Sequence, residues 1–208
     1  MSKLTVTGLI YHHLGPFDLT IEDGETVSLS GSSGAGKSLL LRALADLDPH
    51  DGVICLDGQS CLAFPAPEWR RQVALLPAES QWWHDTVGEH FQGSSAPEIW
   101  AVLGFESQVK SWSITRLSSG EKQRLAILRL LQNKPKVLLL DEPTANLDPE
   151  NSRRVENLFL NYQREQGAAI LWITHSFEQG RRLGGRHYQL ENGRLELLSP
   201  PRLFTSAS

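Results

Sequence analysis

The sequence predicts an α/β fold with a mainly parallel sheet, an N-terminal antiparallel β subdomain and a small inserted α-helical lobe. Three observations carry this reading. Short apolar runs alternate with longer segments of helical pattern, the signature of strands joined through helices into a parallel sheet. Two segments of alternating polarity open the chain and are followed closely by a turn signal. Between Ala78 and Leu117 both patterns give way to short helical pieces that hold four of the six tryptophans.

Taken in order, Leu4 to Tyr11 and Phe17 to Ile21 alternate as half-buried strands do, and Asp23-Gly24 turns the chain into the apolar strand Thr26 to Ser30. After the glycine-rich stretch Gly31 to Gly36, the run Lys37 to Leu47 contains neither Gly nor Pro and reads as a helix ended by Asp48-Pro49. Val53 to Leu56, Val73 to Leu76, Val137 to Leu140 and Ile170 to Thr174 are short strands of buried type, with helices expected over Glu121 to Gln132 and Pro149 to Glu165. The lobe, about residues 79–117, is broken at Gly93-Ser94-Ser95 and at Gly104. Near the end, Tyr188 to Leu190 and Arg194 to Leu197 flank Asn192-Gly193, the dipeptide that suits a type I′ hairpin. Residues 1–208 are therefore expected to form a single domain, with no C-terminal regulatory domain beyond the hairpin and no tandem repeat.

Composition narrows the function. With 208 residues, 40% hydrophobic and 21% charged, the chain can bury a sizeable core. A net charge of −4 and scattered Lys and Arg residues lack the basic stripe of a nucleic-acid binder, so no nucleic acid is expected as a partner. The apolar runs fall far short of the roughly 20 residues that a membrane-spanning helix needs. Met1 to Thr7 lacks a secretory core, and Cys55 and Cys61 lack the further ligands of a zinc site. A cytoplasmic setting is the expectation.

Two segments carry chemistry. Gly31-Ser32-Ser33-Gly34-Ala35-Gly36-Lys37-Ser38 matches the Walker A pattern and lies between a predicted strand and a predicted helix, so the chain is expected to have a P-loop NTPase core. The loop's backbone N–H groups, continuing to Leu39, would cradle phosphates at the positive end of the helix. Lys37 would reach the β- and γ-phosphates, and Ser38 would ligate Mg²⁺. Val137-Leu138-Leu139-Leu140-Asp141-Glu142 reads as a Walker B strand that delivers two carboxylates at its C-terminal end. Asp141 would hold Mg²⁺ and Glu142 would orient or deprotonate the attacking water. ATP and Mg²⁺ are the expected cofactors.

Leu117-Ser118-Ser119-Gly120-Glu121-Lys122-Gln123-Arg124 resembles the LSGGQ signature of ABC ATPases, with Gly120 standing 21 residues before Asp141. Asn146-Leu147-Asp148 resembles that family's D-loop, His175 its switch histidine, and Tyr11, 26 residues before Lys37, the aromatic that stacks on adenine. The resemblance covers practically the whole chain. It implies an ATPase subunit of a membrane transporter, peripheral on the cytoplasmic face of the membrane. It also implies an ATP-dependent homodimer in which Ser118, Ser119, Gly120 and Glu121 of one copy meet the nucleotide of the other, with Glu121 able to accept from a ribose hydroxyl. A separate transmembrane permease would dock near Trp82 and Trp83. Among ABC subunits the chain looks most like small bacterial exporter ATPases, including a group tied to iron or metal efflux.

One departure stands out. The Gln that the family carries after a short strand is replaced by Ala78 in Leu76-Pro77-Ala78-Glu79, which leaves a ligand position to water, Glu79 or Gln81. Two other functions stay open at this point: a soluble ABC-type ATPase that assembles a protein complex such as an iron–sulfur scaffold, and a nucleotide-dependent switch with little turnover.

Overall fold

The computed structural model describes residues 2–91 and 97–199, so the expected break at Gly93-Ser94-Ser95 and the residues after the final strand lie outside it. The first half of the chain runs β1 (Ser2–Tyr11), β2 (Leu14–Glu22), β3 (Thr26–Ser30), α1 (Lys37–Leu44), β4 (Asp51–Leu56), β5 (Gln59–Ser60), α2 (Ala66–Gln72) and β6 (Val73–Leu76). The second half adds α3 (Pro97–Val102), α4 (Ser119–Leu131), β7 (Val137–Asp141), α5 (Pro149–Gln166), β8 (Ala169–Ile173), α6 (Phe177–Leu183), β9 (Arg186–Glu191) and β10 (Arg194–Ser199).

Two sheets result. The smaller has the order β2-β1-β4-β5 and is antiparallel. The larger has the order β10-β9-β3-β8-β7-β6, parallel throughout except for β10, which returns antiparallel along β9 at one edge. Asn192 and Gly193 both take positive φ in that last hairpin, as its dipeptide predicts.

The central strands are apolar along their whole length because both faces are covered. Val137 and Leu139 of β7, with Leu171 and Ile173 of β8 and Val27 and Leu29 of β3, pack against α1 and the smaller sheet. The intervening Leu138, Leu140, Ile170 and Trp172 face the opposite way, onto α4, α5 and the inserted lobe. Trp100, Leu103, Phe105, Val109 and Ile114 of the lobe belong to this second core. The lobe is closed at its base, where Val87 N–H donates to Trp112 O (3.0 Å) and Ile114 N–H to Asp85 O (2.9 Å).

Helix α1 stops at Leu44, earlier than the predicted Leu47. Asp46 takes a left-handed φ of 53°, its N–H donates to Ala43 O, and Leu47 N–H reaches back to Arg42 O. This is a Schellman-type ending with an aspartate in the place that glycine usually fills. Asp is among the few residues that tolerate that conformation, so the stop carries no glycine signal in the sequence.

Candidate functional site

Register explains why the predicted chemistry converges. Leu29 of β3 pairs with Ile173 of β8, Ile173 with Asp141 of β7, and Leu76 of β6 with Leu140. Four parallel strands thus end on one level, at the carboxyl edge where open α/β sheets bind ligands. The loops that leave them contain Gly31–Ser38, Asp141-Glu142, Thr174-His175 and Pro77–Gln81.

In the first loop Ser32, Ser33, Gly34 and Ser38 are exposed, whereas Lys37 is 7% exposed. Its ammonium folds back over the arch and donates to Gly31 O and Ser32 O, both at 2.9 Å. Three N–H groups with two carbonyl partners leave one for a further acceptor. Gly36, at φ 96°, caps α1, and a Cβ there would sit 2.3 Å from Leu14 Cδ1. The positive φ favours glycine, and a Cβ would also have to push the end of the Leu14 side chain aside. Ala35 and Leu39 are half-buried against the first core.

Across from the arch, the Ser38 hydroxyl donates to the Asp141 carboxylate. Burial pushes the Asp141 carboxyl above its ordinary range and the neighbouring Glu142 adds to this, while Ser38, Lys37 and His175 oppose it. A buried acid beside a second acid is electrostatically prepared for a cation. Glu142 has a left-handed φ of 48°, rare for a non-glycine residue, held because its N–H donates to Ile173 O (3.3 Å) and its carbonyl accepts from Ala145 N–H (3.1 Å). That turn points its carboxylate at His175, with Glu142 Oε1 2.7 Å from His175 Nε2.

His175 is itself held from below. Thr174, 4% exposed, donates through Oγ1 to Gln179 Oε1 at 2.6 Å and accepts from Ser176 N–H at 3.0 Å. The Gln179 amide then donates to Thr144 Oγ1 and to Glu156 Oε1, both at 2.8 Å, and Arg182 closes on Glu156. Sequence reading missed this buried network, because Gln179 and Glu156 occupy helix positions whose burial no short motif announces. A cavity of about 430 Å³ lies between it and the Glu142–His175 pair.

The signature lies on the second core. Ser118 caps α4, accepting from Glu121 N–H at 3.3 Å, and Glu121 Oε2 accepts from the Ser118 N–H and hydroxyl, both at 2.8 Å. This capping box uses the carboxylate that the sequence offered to a ribose, and those bonds hold its pKa below the usual range. Ser118 and Ser119 are exposed, and Gly120 rests on the D-loop, where a Cβ would sit 3.1 Å from Asn146 O. Asp148 caps α5, accepting from Asn151 N–H at 2.9 Å.

Tyr11 corrects an expectation. Its ring is 1% exposed and stacked on Phe17, with centroids 5.5 Å apart, so it offers no face to a purine. Its hydroxyl donates to Gly36 O at 3.3 Å, which makes it a support beneath the arch.

In the fourth loop Ala78, Glu79 and Gln81 are exposed, and Ser80 donates to Gln123 Oε1 of α4 at 3.1 Å. The two tryptophans that follow part company. Trp82 packs on the second core, whereas Trp83 is 64% exposed. The Arg129 guanidinium lies 4.5 Å from the Trp82 centroid and 4.7 Å from that of Trp83. His90 fixes the loop's course, its Nε2 accepting from Trp83 N–H (3.0 Å) and His84 N–H (3.1 Å). Trp83, Arg129, His90 and Pro77 border a groove of about 320 Å³.

A glycine-rich arch with its lysine, a buried aspartate bonded to the loop's serine, and a glutamate paired to a histidine have the arrangement of the P-loop NTPase class. The ABC transporter family profile matches residues 14–145, and the chain belongs to that family as an ATP-binding subunit. It is 37% identical over 204 residues to the molybdate/tungstate import ATP-binding protein WtpC of Thermococcus kodakarensis, an alignment spanning 91% of this chain and 61% of that protein. It is 33% identical over 178 residues to the "Probable iron export ATP-binding protein FetA" of Escherichia coli, spanning 80% of this chain and 79% of that protein. A bacterial Atm1-family ABC exporter solved with ATP bound superposes with a TM-score of 0.82 at 24% identity, over 94% of this chain and 38% of that one, a likeness of fold. The chain spans about 60% of the length of the first curated relatives it matches.

Proposed function

We propose that the chain binds and hydrolyses ATP to power an ABC-type membrane transporter, acting as a peripheral subunit on the cytoplasmic face of the membrane. The observation that carries this reading is the convergence of Lys37, Ser38, Asp141, Glu142 and His175 at one sheet edge. Lys37 and the N–H groups of Gly34 to Leu39 bind the phosphates. Ser38 and Asp141 fit Mg²⁺, since a buried carboxylate and a hydroxyl are hard oxygen donors with charge to spare. The ion, when bound, neutralises charge on the β- and γ-phosphates. Glu142 takes the proton of the attacking water, and His175 holds that carboxylate in place and faces the γ-phosphate.

Ser118 and Ser119, exposed at the N-terminus of α4, and the half-buried Gly120 beside them complete the site of a second copy in an ATP-dependent two-fold dimer. A separate transmembrane permease docks at the groove beside Trp83. Among the described residues no helix is long and apolar enough to cross a membrane. The export direction and metal cargo that the sequence resemblance implies have a counterpart in the iron-export relative, while the molybdate/tungstate relative is an importer. Direction and cargo belong to the permease. The reading is tested by Mg²⁺-dependent ATP hydrolysis with and without that permease, and a chain that neither binds nor hydrolyses ATP overturns it.

Two outcomes are expected here. Trp83→Ala removes a ring that is mostly exposed, so melting temperature stays close to parental, while permease affinity falls by roughly 30-fold or more, as for an aromatic interface anchor. Co-purification from detergent extracts measures it. Ala78→Gln places a tethered amide oxygen where water would otherwise sit, at a small entropic gain. It is expected to tighten Mg²⁺-dependent nucleotide binding or raise basal hydrolysis. Glu79→Ala and Gln81→Ala are the controls, since a larger loss in either would assign the role to that neighbour.

A further inference from the structure

One buried imidazole has no part in the chemistry above. His187 of β9 is 6% exposed and spans two serines of the adjacent strand, with Nδ1 2.7 Å from Ser28 Oγ and Nε2 2.9 Å from Ser30 Oγ. Parallel pairing sets Ser28 opposite His187, and residues 28 and 30 share a face of β3. The ring therefore bridges a full strand repeat. Burial holds its pKa below the ordinary value, which favours the neutral ring, with one N–H and one bare nitrogen. One serine donates to the ring and the other accepts from it. Each hydroxyl also has a backbone carbonyl of β9 within reach, Arg186 O at 3.5 Å and Tyr188 O at 3.4 Å.

The surroundings connect this bridge to the site. Ser30 is the last residue of β3, and Gly31 after it supplies a carbonyl to Lys37 Nζ. Gly31 is seated on β9 itself, since a Cβ there would sit 2.3 Å from Leu190 O, three residues beyond His187. On the other side the ring meets α6, whose cap, Ser176, directly follows His175. A Cβ at Gly180 would sit 3.1 Å from Nδ1, and Phe177 meets the ring edge-on at 5.9 Å. The imidazole thus touches both the strand that launches the phosphate loop and the helix behind the γ-phosphate-facing histidine.

We infer that His187 is a positioning residue for nucleotide binding, which, through Ser28 and Ser30, fixes the take-off of the phosphate loop from β3 against β9 and α6. The inference rests on the nucleotide-site reading above. Backbone pairing holds β3 and β9 together without the bridge, so its loss loosens the arch more than it loosens the sheet. Nucleotide affinity should fall, while turnover at saturating ATP, which depends on Glu142, should change little.

The test measures affinity for a fluorescent ATP analogue with Mg²⁺, turnover and melting temperature on the same preparations. His187→Leu and Ser30→Ala are each expected to weaken binding about five- to tenfold, the effect of losing a buried hydrogen bond. The double variant should be no weaker than the worse single one, because both remove the same bridge. His187→Gln, whose amide donates and accepts, should recover most of the affinity. If His187→Leu fails to fold, Ser30→Ala still decides. Parental affinity in the folded variants, with only their melting temperatures lowered, would make His187 a packing residue and overturn the inference alone. Failure of the parental chain to bind the analogue would overturn the nucleotide reading and this inference together.

Discussion

Lys37→Ala is expected to abolish tight ATP binding while the chain remains folded. The lysine is the one cation buried within the arch, held between Gly31 O and Ser32 O at 2.9 Å from each. Hydrogen bonds to charged groups are each worth about 1.5–3 kcal/mol. Losing the one phosphate contact that the remaining N–H can make then weakens binding by roughly 10- to 10²-fold. The fold has little stake in this ammonium, because α1 is anchored by Leu40, Leu41 and Leu44, all 2% exposed or less. Calorimetric titration with Mg²⁺-ATP, with a melting curve as control, measures the effect. Unchanged affinity in a folded variant would refute the assignment of Gly31–Ser38 as the phosphate site.

The sequence makes the chemistry legible where that chemistry needs unusual residues in fixed order. Glycines must bend an arch, and an apolar strand must end in acids, so Gly31–Ser38 and Asp141-Glu142 announce themselves, and parallel register then places them together. The ending of α1 shows the opposite case, since Asp46 adopts a conformation that its side chain only tolerates. Burial is harder still to read. Tyr11 and Trp83 look alike as aromatic residues beside a loop, yet one is 1% exposed and the other 64%. Phe17 across the β1–β2 pair covers the first, while Trp83 lies over Arg129 at the surface. The Thr174–Gln179–Glu156 network and the Ser28–His187–Ser30 bridge are likewise products of packing between distant segments. Their members have no common spacing that a motif could record.

Glu142→Gln should separate binding from hydrolysis. The carboxylate sits 2.7 Å from His175 Nε2, and a glutamine carbonyl can keep that contact, so the turn and the histidine stay in place. What is lost is basicity: an amide does not take a proton from water. Removing a general base costs about 10²- to 10⁴-fold in rate, equivalent to roughly 3–5 kcal/mol in the barrier. ATP affinity should remain near parental, because the residues that hold the phosphates are untouched. In the proposed two-copy site, slowed hydrolysis would leave in place the γ-phosphate between Lys37 of one copy and Ser118 and Gly120 of the other, and ATP would stabilise the closed pair by mass action. A sizing column run with Mg²⁺-ATP should therefore show a dimer that ADP does not support. If the variant binds ATP and stays monomeric, the two-copy site fails even though the nucleotide site stands. If it hydrolyses ATP at the parental rate, Glu142 is not the base, and the positive φ that aims it at His175 serves the architecture of the D-loop instead.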